Sequence, residues 1–302
     1  MPATIYSLAP AKFGSTVVPV KSVTISAGIL AEANGHSGNP YPTLIRVSGG
    51  DPKVTLVMPF KPAYDALGFS VTKLTTFEVW LAKFSDFIRS SSTDHSKFAL
   101  SGSAVAAAMI TGIAVDQDGD LMATVDVVPI ADTATANPLA LGTGALPTLA
   151  SQPALYTLGP CTINGTTVPG MISAGIDLGQ ILVPQRSDGC RYAMAACRVG
   201  ATPRAFGEHG DPVTLLGTLT LDGVAASSNL VQYFRGYNAT TGIVDTGATA
   251  ISLTMAVGRA HPLDLSTVHG GLSRLGLEFL PTSSTSTHPI AYSATATVPT
   301  IT

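Results

Sequence analysis

Charge is what this chain of 302 residues has least of: Lys, Arg, Asp and Glu make up 12% of it, against about 25% in an ordinary soluble domain. A surface so thinly charged is poorly equipped to keep a monomer apart from its neighbours, so the composition points to a surface covered by other subunits. A basic excess is missing as well, with 16 Lys and Arg against 19 Asp and Glu. The basic residues stand singly: seven Lys and two Arg in the first half, seven Arg and no Lys in the second. Tight gripping of nucleic acid phosphates is therefore not indicated. Cysteine is scarce. Cys161, Cys190 and Cys197 form an odd number without a framework, the usage expected of reduced thiols in a cytosol. The longest uncharged apolar run, Ala104 to Val115, is too short to span a membrane. The opening MPATIYSLAP lacks a signal pattern, so no export is expected.

Recognisable catalytic chemistry is absent too. No Gly-rich phosphate loop or Gly-x-Ser-x-Gly elbow occurs. The six histidines are scattered, and the densest cluster, Glu208, His209 and Asp211, reads as solvated loop rather than a metal site. Ile243 to Ala248, IVDTGA, has the form of an aspartic protease loop, a chemistry that needs two carboxylates sharing one proton. Laying Ser101-Gly102-Ser103 beneath Thr246-Gly247-Ala248, an offset of 145, puts Leu100 under Asp245. The partner Asp is missing. The chain is expected to be no enzyme and to carry no catalytic, cofactor or metal residues, with an aspartic-protease-like hydrolase resting on Asp245 alone.

What the sequence does have is a repetition. VDVVPIADTATANPLAL, Val125 to Leu141, returns as LEFLPTSSTSTHPIAY, Leu277 to Tyr292, with Pro129 and Pro281 at an offset of 152 and Pro138 and Pro289 at 151. Further anchors keep the same order: Pro19 and Pro169 at 150, Tyr41 and Tyr192 at 151, Pro52 and Pro203 at 151, Phe84 and Phe234 at 150, Gly119 and Gly271 at 152. A domain-sized period over a chain of twice its length implies tandem duplication. Two domains are expected, 1–145 and 152–302, joined by the Gly/Pro/Ala/Ser-rich stretch around 142–154.

Period-two alternation predicts strands at Val17 to Ile29, Thr43 to Val47, Lys53 to Pro59 and Ala104 to Val115, with Thr166 to Leu178 and Ala250 to Val257 as second-half counterparts. Residues 1 to 15 read as an unpaired arm. Apolar residues three and four apart predict a helix over Lys73 to Ser90, with Phe77, Trp80, Leu81, Phe84, Phe87 and Ile88 on its core face. A weaker helix is predicted over Ser227 to Gly236. The expected fold is mainly β: two tandem β-sandwich or barrel domains, each with one flanking α-helix.

This layout resembles the major tail tube proteins of long-tailed, siphovirus-type bacteriophages. The likeness is carried by SVTISAG at Ser22 to Gly28, NGTTVPG at Asn164 to Gly170 and GLSRLGLEFLPTSSTSTHPIAYS at Gly271 to Ser293. It implies a virion protein assembled in the host cytoplasm, with rings of sixfold or pseudo-sixfold symmetry stacked into a tube through which DNA passes without specific binding. Two fused domains per chain then imply a homotrimeric ring. Its implied partners are further copies of itself and the tape measure, terminator and distal tail proteins, with no membrane. The polar loops Glu32 to Pro42 and, shorter, Gln185 to Arg191 fall where the family carries its inter-ring loop. Glu32, Asn34, His36, Asn39, Tyr41, Arg186 and Asp188 are thus the expected inter-ring contacts. A viral capsid or coat protein with two β-domains is the alternative that shares the duplication and the low charge.

Overall fold

Alternation of apolar and polar residues builds nearly every element. In the computed structural model Lys53–Pro59 buries Val54, Leu56 and Met58 completely and turns the residues between them outward, the period of a strand with one face on a core. The structure describes residues 6–34, 44–83, 95–116, 119–149, 154–168, 170–187, 189–200, 202–210, 228–238, 241–244, 250–266, 274–283 and 288–299.

The first half runs β1 (Tyr6–Phe13), β2 (Thr16–Val18), β3 (Ser22–Ser26), β4 (Ile29–Asn34), β5 (Leu44–Gly50), β6 (Lys53–Pro59), α1 (Phe60–Leu67), β7 (Thr72–Leu74), β8 (Phe77–Lys83), β9 (His95–Leu100), β10 (Val105–Asp116), β11 (Met122–Ile130) and β12 (Leu139–Gly144). The second runs β13 (Tyr156–Ile163), β14 (Thr166–Val168), β15 (Met171–Asp177), β16 (Ile181–Gln185), β17 (Ala195–Val199), β18 (Arg204–His209), β19 (Ser228–Gly236), β20 (Ala250–Ser266), β21 (Arg274–Pro281) and β22 (Ile290–Ser293). The protein is mainly β, and among the described residues all strand ladders are antiparallel.

The first half stacks a five-stranded sheet, β12-β9-β8-β1-β2, on the four strands β10-β11-β6-β3. The second half shows the same orders, β22-β20-β19-β13-β14 and β20-β21-β18-β15. There one long strand, β20, does the work of both β9 and β10. The four-stranded portions are continuous with each other, because β10 also pairs with β15.

The correspondence extends to register. Ser22 lies opposite Val57 in β3 and β6, and Ser173 opposite Glu208 in β15 and β18, each residue 151 further along. Ala107 lies opposite Val128, and Arg259 opposite Leu280, a shift of 152. Bulges recur too: the break between Leu8 and Ala11 against β8 returns between Leu158 and Cys161 against β19, a shift of 150. Each break carries a proline, Pro10 or Pro160, which a regular ladder position would not accommodate.

Four expectations are corrected here. Residues 73–83 form β7 and β8 instead of a helix, and the remainder of the expected helix, with Phe84, Phe87 and Ile88, lies outside the described residues. Ser228–Gly236 is likewise a strand, with Leu230, Gln232 and Phe234 buried in alternation. β8 and β19 are central strands, flanked on each side by a neighbour whose hydrogen bonds outweigh the helical period. Of the expected arm, residues 6–15 are not free, since β1 is paired on both edges, by β8 and β2, and buries Ala11 and Phe13, while residues 1–5 lie outside the described residues. Finally, Asn34 pairs with Leu44 as Gln185 pairs with Ala195, so the two polar loops are equally long.

Among the described residues the single helix is α1, starting directly after Pro59 with Pro62 in its first turn, where a missing N–H costs nothing. It ends at Gly68, whose φ of 63° few other residues adopt and whose N–H bonds the Tyr64 carbonyl. The residues that would correspond to it, 211–218, lie outside the described set.

Candidate interaction surfaces

The expected site residues separate into three groups. Glu32 and Asn34 lie in β4; His36, Asn39, Tyr41 and Asp188 lie outside the described residues; Arg186 is held inside the chain. Its guanidinium donates to Asp51 at 2.9 Å with both side chains largely covered, fastening the second half's loop to the turn before β6. Around it Gly50 donates to the Arg191 carbonyl at 3.0 Å, Arg191 to Ala134 at 2.7 Å and Ala131 to Ala193 at 2.8 Å. The loop between β16 and β17 is therefore a lateral seam between the halves. Arg186, expected as an inter-ring contact, is engaged in that seam by its pair with Asp51.

The seam has two further parts. In the sheet, Gly112–Asp116 of β10 pairs with Ser173–Asp177 of β15. Behind it, the hairpin β16–β17 lays Leu182 against Ala107, Met109 and Val128 in a small apolar cluster. On the opposite side of the sandwich, Phe60, Tyr64 and Phe69 of the α1 region pack on Tyr292 and His288, with the Tyr64 and Tyr292 rings 4.2 Å apart and Phe69 stacked on His288 at 5.1 Å. Burial lowers the His288 pKa below its ordinary value, countered in part by the contact of Nδ1 with the Ile290 carbonyl oxygen at 3.3 Å. Burial likewise pushes the Tyr292 hydroxyl up to about 12.

At the two ends of the eight-strand path β3-β6-β11-β10-β15-β18-β21-β20 the equivalent surfaces are bare among the described residues. Among the described residues β3 is paired only with β6. A groove of about 370 Å³ runs beside it, lined by Ile25, Ala27, Ile29, Gly50 and Tyr192 among others. At the far end Leu263 and Leu265 are 49% and 54% exposed. Such open, apolar edges are templates for another strand.

The face of this sheet away from the core carries its described acids in ion pairs. Lys53 bridges Asp126 at 2.7 Å, and Thr55 donates to the other carboxylate oxygen at 2.8 Å. The corresponding positions, Arg204 and Glu278, lie 3.8 Å apart, so the change from Lys to Arg between the halves preserves the pair. Arg274 and Glu208 form a third pair at 3.2 Å.

The other sequence candidates do not converge on chemistry. Glu208 faces outward to Arg274 while its neighbour His209 is fully buried, and Asp211 and Asp245 lie outside the described residues. No group of three potential metal ligands occurs among the described residues. β9 and the first part of β20 correspond at a shift of 155, as Ala99 opposite Glu78 and Thr254 opposite Val231 show, so the alignment at 145 used for Asp245 is not the structural one. Cys161, fully buried, has its thiol pushed up to about 12 by desolvation. Sequence reasoning missed the open edges because an edge is defined by which strand is absent beside it. The one available signal was the run of exposed Leu in HPLDLS at the end of β20.

No protein-family model matches the chain, and no curated protein matches it significantly.

Proposed function

We propose that the chain is a structural virion protein whose two halves are successive tube domains. Three chains would close a pseudo-hexameric ring, and stacked rings would form the tail tube of a long-tailed phage as a conduit for DNA. One observation carries the reading: the halves join edge to edge through a continuous sheet, and among the described residues no strand lies beside the equivalent edges at its two ends. A chain built so can satisfy its edges only by adding further copies, and cyclic closure stops the addition at a defined number. The number three comes from the family resemblance. The paired charges on the outer face of the sheet suit a lumen wall, since unpaired cations there would hold DNA by its phosphates. Weak charge elsewhere is compatible with a surface consumed by neighbours.

Negative-stain microscopy of the purified protein at high concentration tests this reading. Hollow rings or tubes with sixfold-like end views are expected. Closed shells would transfer the assignment to a capsid protein, and dispersed single chains would refute assembly altogether.

A further inference from the structure

We propose that β3 of one copy adds to the end of β20 in the next copy, antiparallel, with Ser26 opposite Asp264, Ile25 opposite Leu265 and Thr24 opposite Ser266. This deepens the assembly reading and depends on it for the occupant, a second copy of this chain.

The register follows from the fold's own repetition. Inside the chain Gly112 pairs with Asp177, Ile113 with Ile176 and Ala114 with Gly175. The shift of 152 seen between the β10–β11 and β20–β21 ladders carries Gly112, Ile113 and Ala114 to Asp264, Leu265 and Ser266. The shift of 151 between the β3–β6 and β15–β18 ladders carries Asp177, Ile176 and Gly175 back to Ser26, Ile25 and Thr24. Even the irregularity that bends β10 before this segment, between Ile110 and Gly112, has its equivalent in β20 between Pro262 and Leu265. The two edges are therefore already shaped for each other.

Burial supports the pairing, because positions covered at the internal seam are uncovered at the chain's ends. Ile113 is 3% exposed and its equivalent Leu265 is 54% exposed; Val128 is 1% and Leu280 is 36%. Leu178 is fully buried while Ala27 is exposed. On the sandwich's other side Tyr292 is half-covered beneath α1, and the equivalent Leu141 is bare at 68%. Apolar groups at equivalent positions thus change exposure according to whether the adjoining half is present in the chain. A neighbouring copy supplies that half. By the same shifts, its hairpin β4–β5 lies across β20 and β21 as β16–β17 lies across β10 and β11. The two edges differ, so addition is head to tail and not two-fold.

The hydrogen-bond phase selects the test. Leu178 donates to Thr111 at 3.0 Å, which makes Ile113 and Ile176 a hydrogen-bonded pair and Ala114 and Gly175 a non-hydrogen-bonded one. Thr24 and Ser266 therefore occupy the type of pair whose side chains approach most closely, within reach of a disulfide. The double variant Thr24→Cys/Ser266→Cys, in a Cys190→Ser/Cys197→Ser background, is oxidised and run on a non-reducing denaturing gel, with mass photometry in parallel. Covalent multimers are expected from the double variant and from an equimolar mixture of the two single variants, with monomers from each single variant alone. Assemblies without cross-links, or dimers of the Thr24→Cys variant alone, would overturn the pairing while leaving self-assembly intact. Failure of wild-type chains to associate would overturn the assembly reading with it. Leu265→Glu provides the independent check: unchanged thermal melting of the monomer with loss of assembly is expected, and wild-type assembly would contradict the proposal.

Discussion

Gly28 and Gly179 stand at equivalent positions, with φ of 56° and 61°, and a Cβ at either would approach the carbonyl oxygen of Asp51 or of Thr202 to 2.1 or 2.2 Å. Those oxygens are themselves equivalent across the repeat. Because both contacts are to backbone, neither can yield by a rotamer change. Gly28→Ala and Gly179→Ala should each destabilise by roughly 1 to 3 kcal/mol or more through conformation alone, read as a lowered urea midpoint. Cys161 gives a second prediction at this scale. Its thiol is pushed from an ordinary 9.0 up to about 12, so below pH 9 it is neutral in both folded and unfolded chains and favours neither. Between 9 and 12 only the unfolded thiol ionises, so native stability falls as pH rises through that window. Tyr156 and Tyr292, also raised by burial, act in the same direction. Urea melts across this range should show the decline, with a shallower slope for Cys161→Ala, and Cys161 should react with a thiol reagent only after unfolding. Single residues were legible in the sequence where they were prolines: Pro129 and Pro281 sit at the 152 offset that their ladders share.

At the scale of elements, β8 and β19 show where sequence reading fails. Leu230 and Phe234 are four apart, a spacing that satisfies a helix face and a strand face equally, and the intervening Gln232 hides the alternation because it is polar yet buried. Its amide is satisfied by the Gly159 and Tyr233 carbonyls, each at 2.9 Å, and the former lies where the bulge of β13 opens the ladder. No local signal announces such a partner 73 residues away. β6, by contrast, was legible to the residue, since its alternation contains no exception. The helix was missed because FKPAYDAL is short, follows a proline and carries another, whereas the aromatic run at 77–88 offered a stronger but misleading period. Phe234 is 2% exposed in the core between the sheets. Phe234→Ala should cost about 3 to 5 kcal/mol, measured by equilibrium unfolding; a variant that melts like the wild type would contradict the strand assignment.

For the whole molecule, the repetition of strand order and register was legible in anchors such as Pro129 and Pro281, while the anchor Phe84 and Phe234 was not structural, since Phe234 occupies the place of Leu81. The way the halves meet was not legible. A seam made of backbone hydrogen bonds between β10 and β15 places little demand on side-chain identity, so Ile113, Ala114 and Val115 look alike whether their edge is paired or open. Nor could composition distinguish Leu265 in a core from Leu265 on a bare edge. The central claim is that the bare edges close on other copies. Mass photometry or native mass spectrometry over a concentration series tests it most directly. A chain of 30.8 kDa should give a dominant species of about 92 kDa, three chains, with higher species spaced as multiples of that mass. Stable monomers at high concentration, or hexamers of chains with no trimer, would contradict the account.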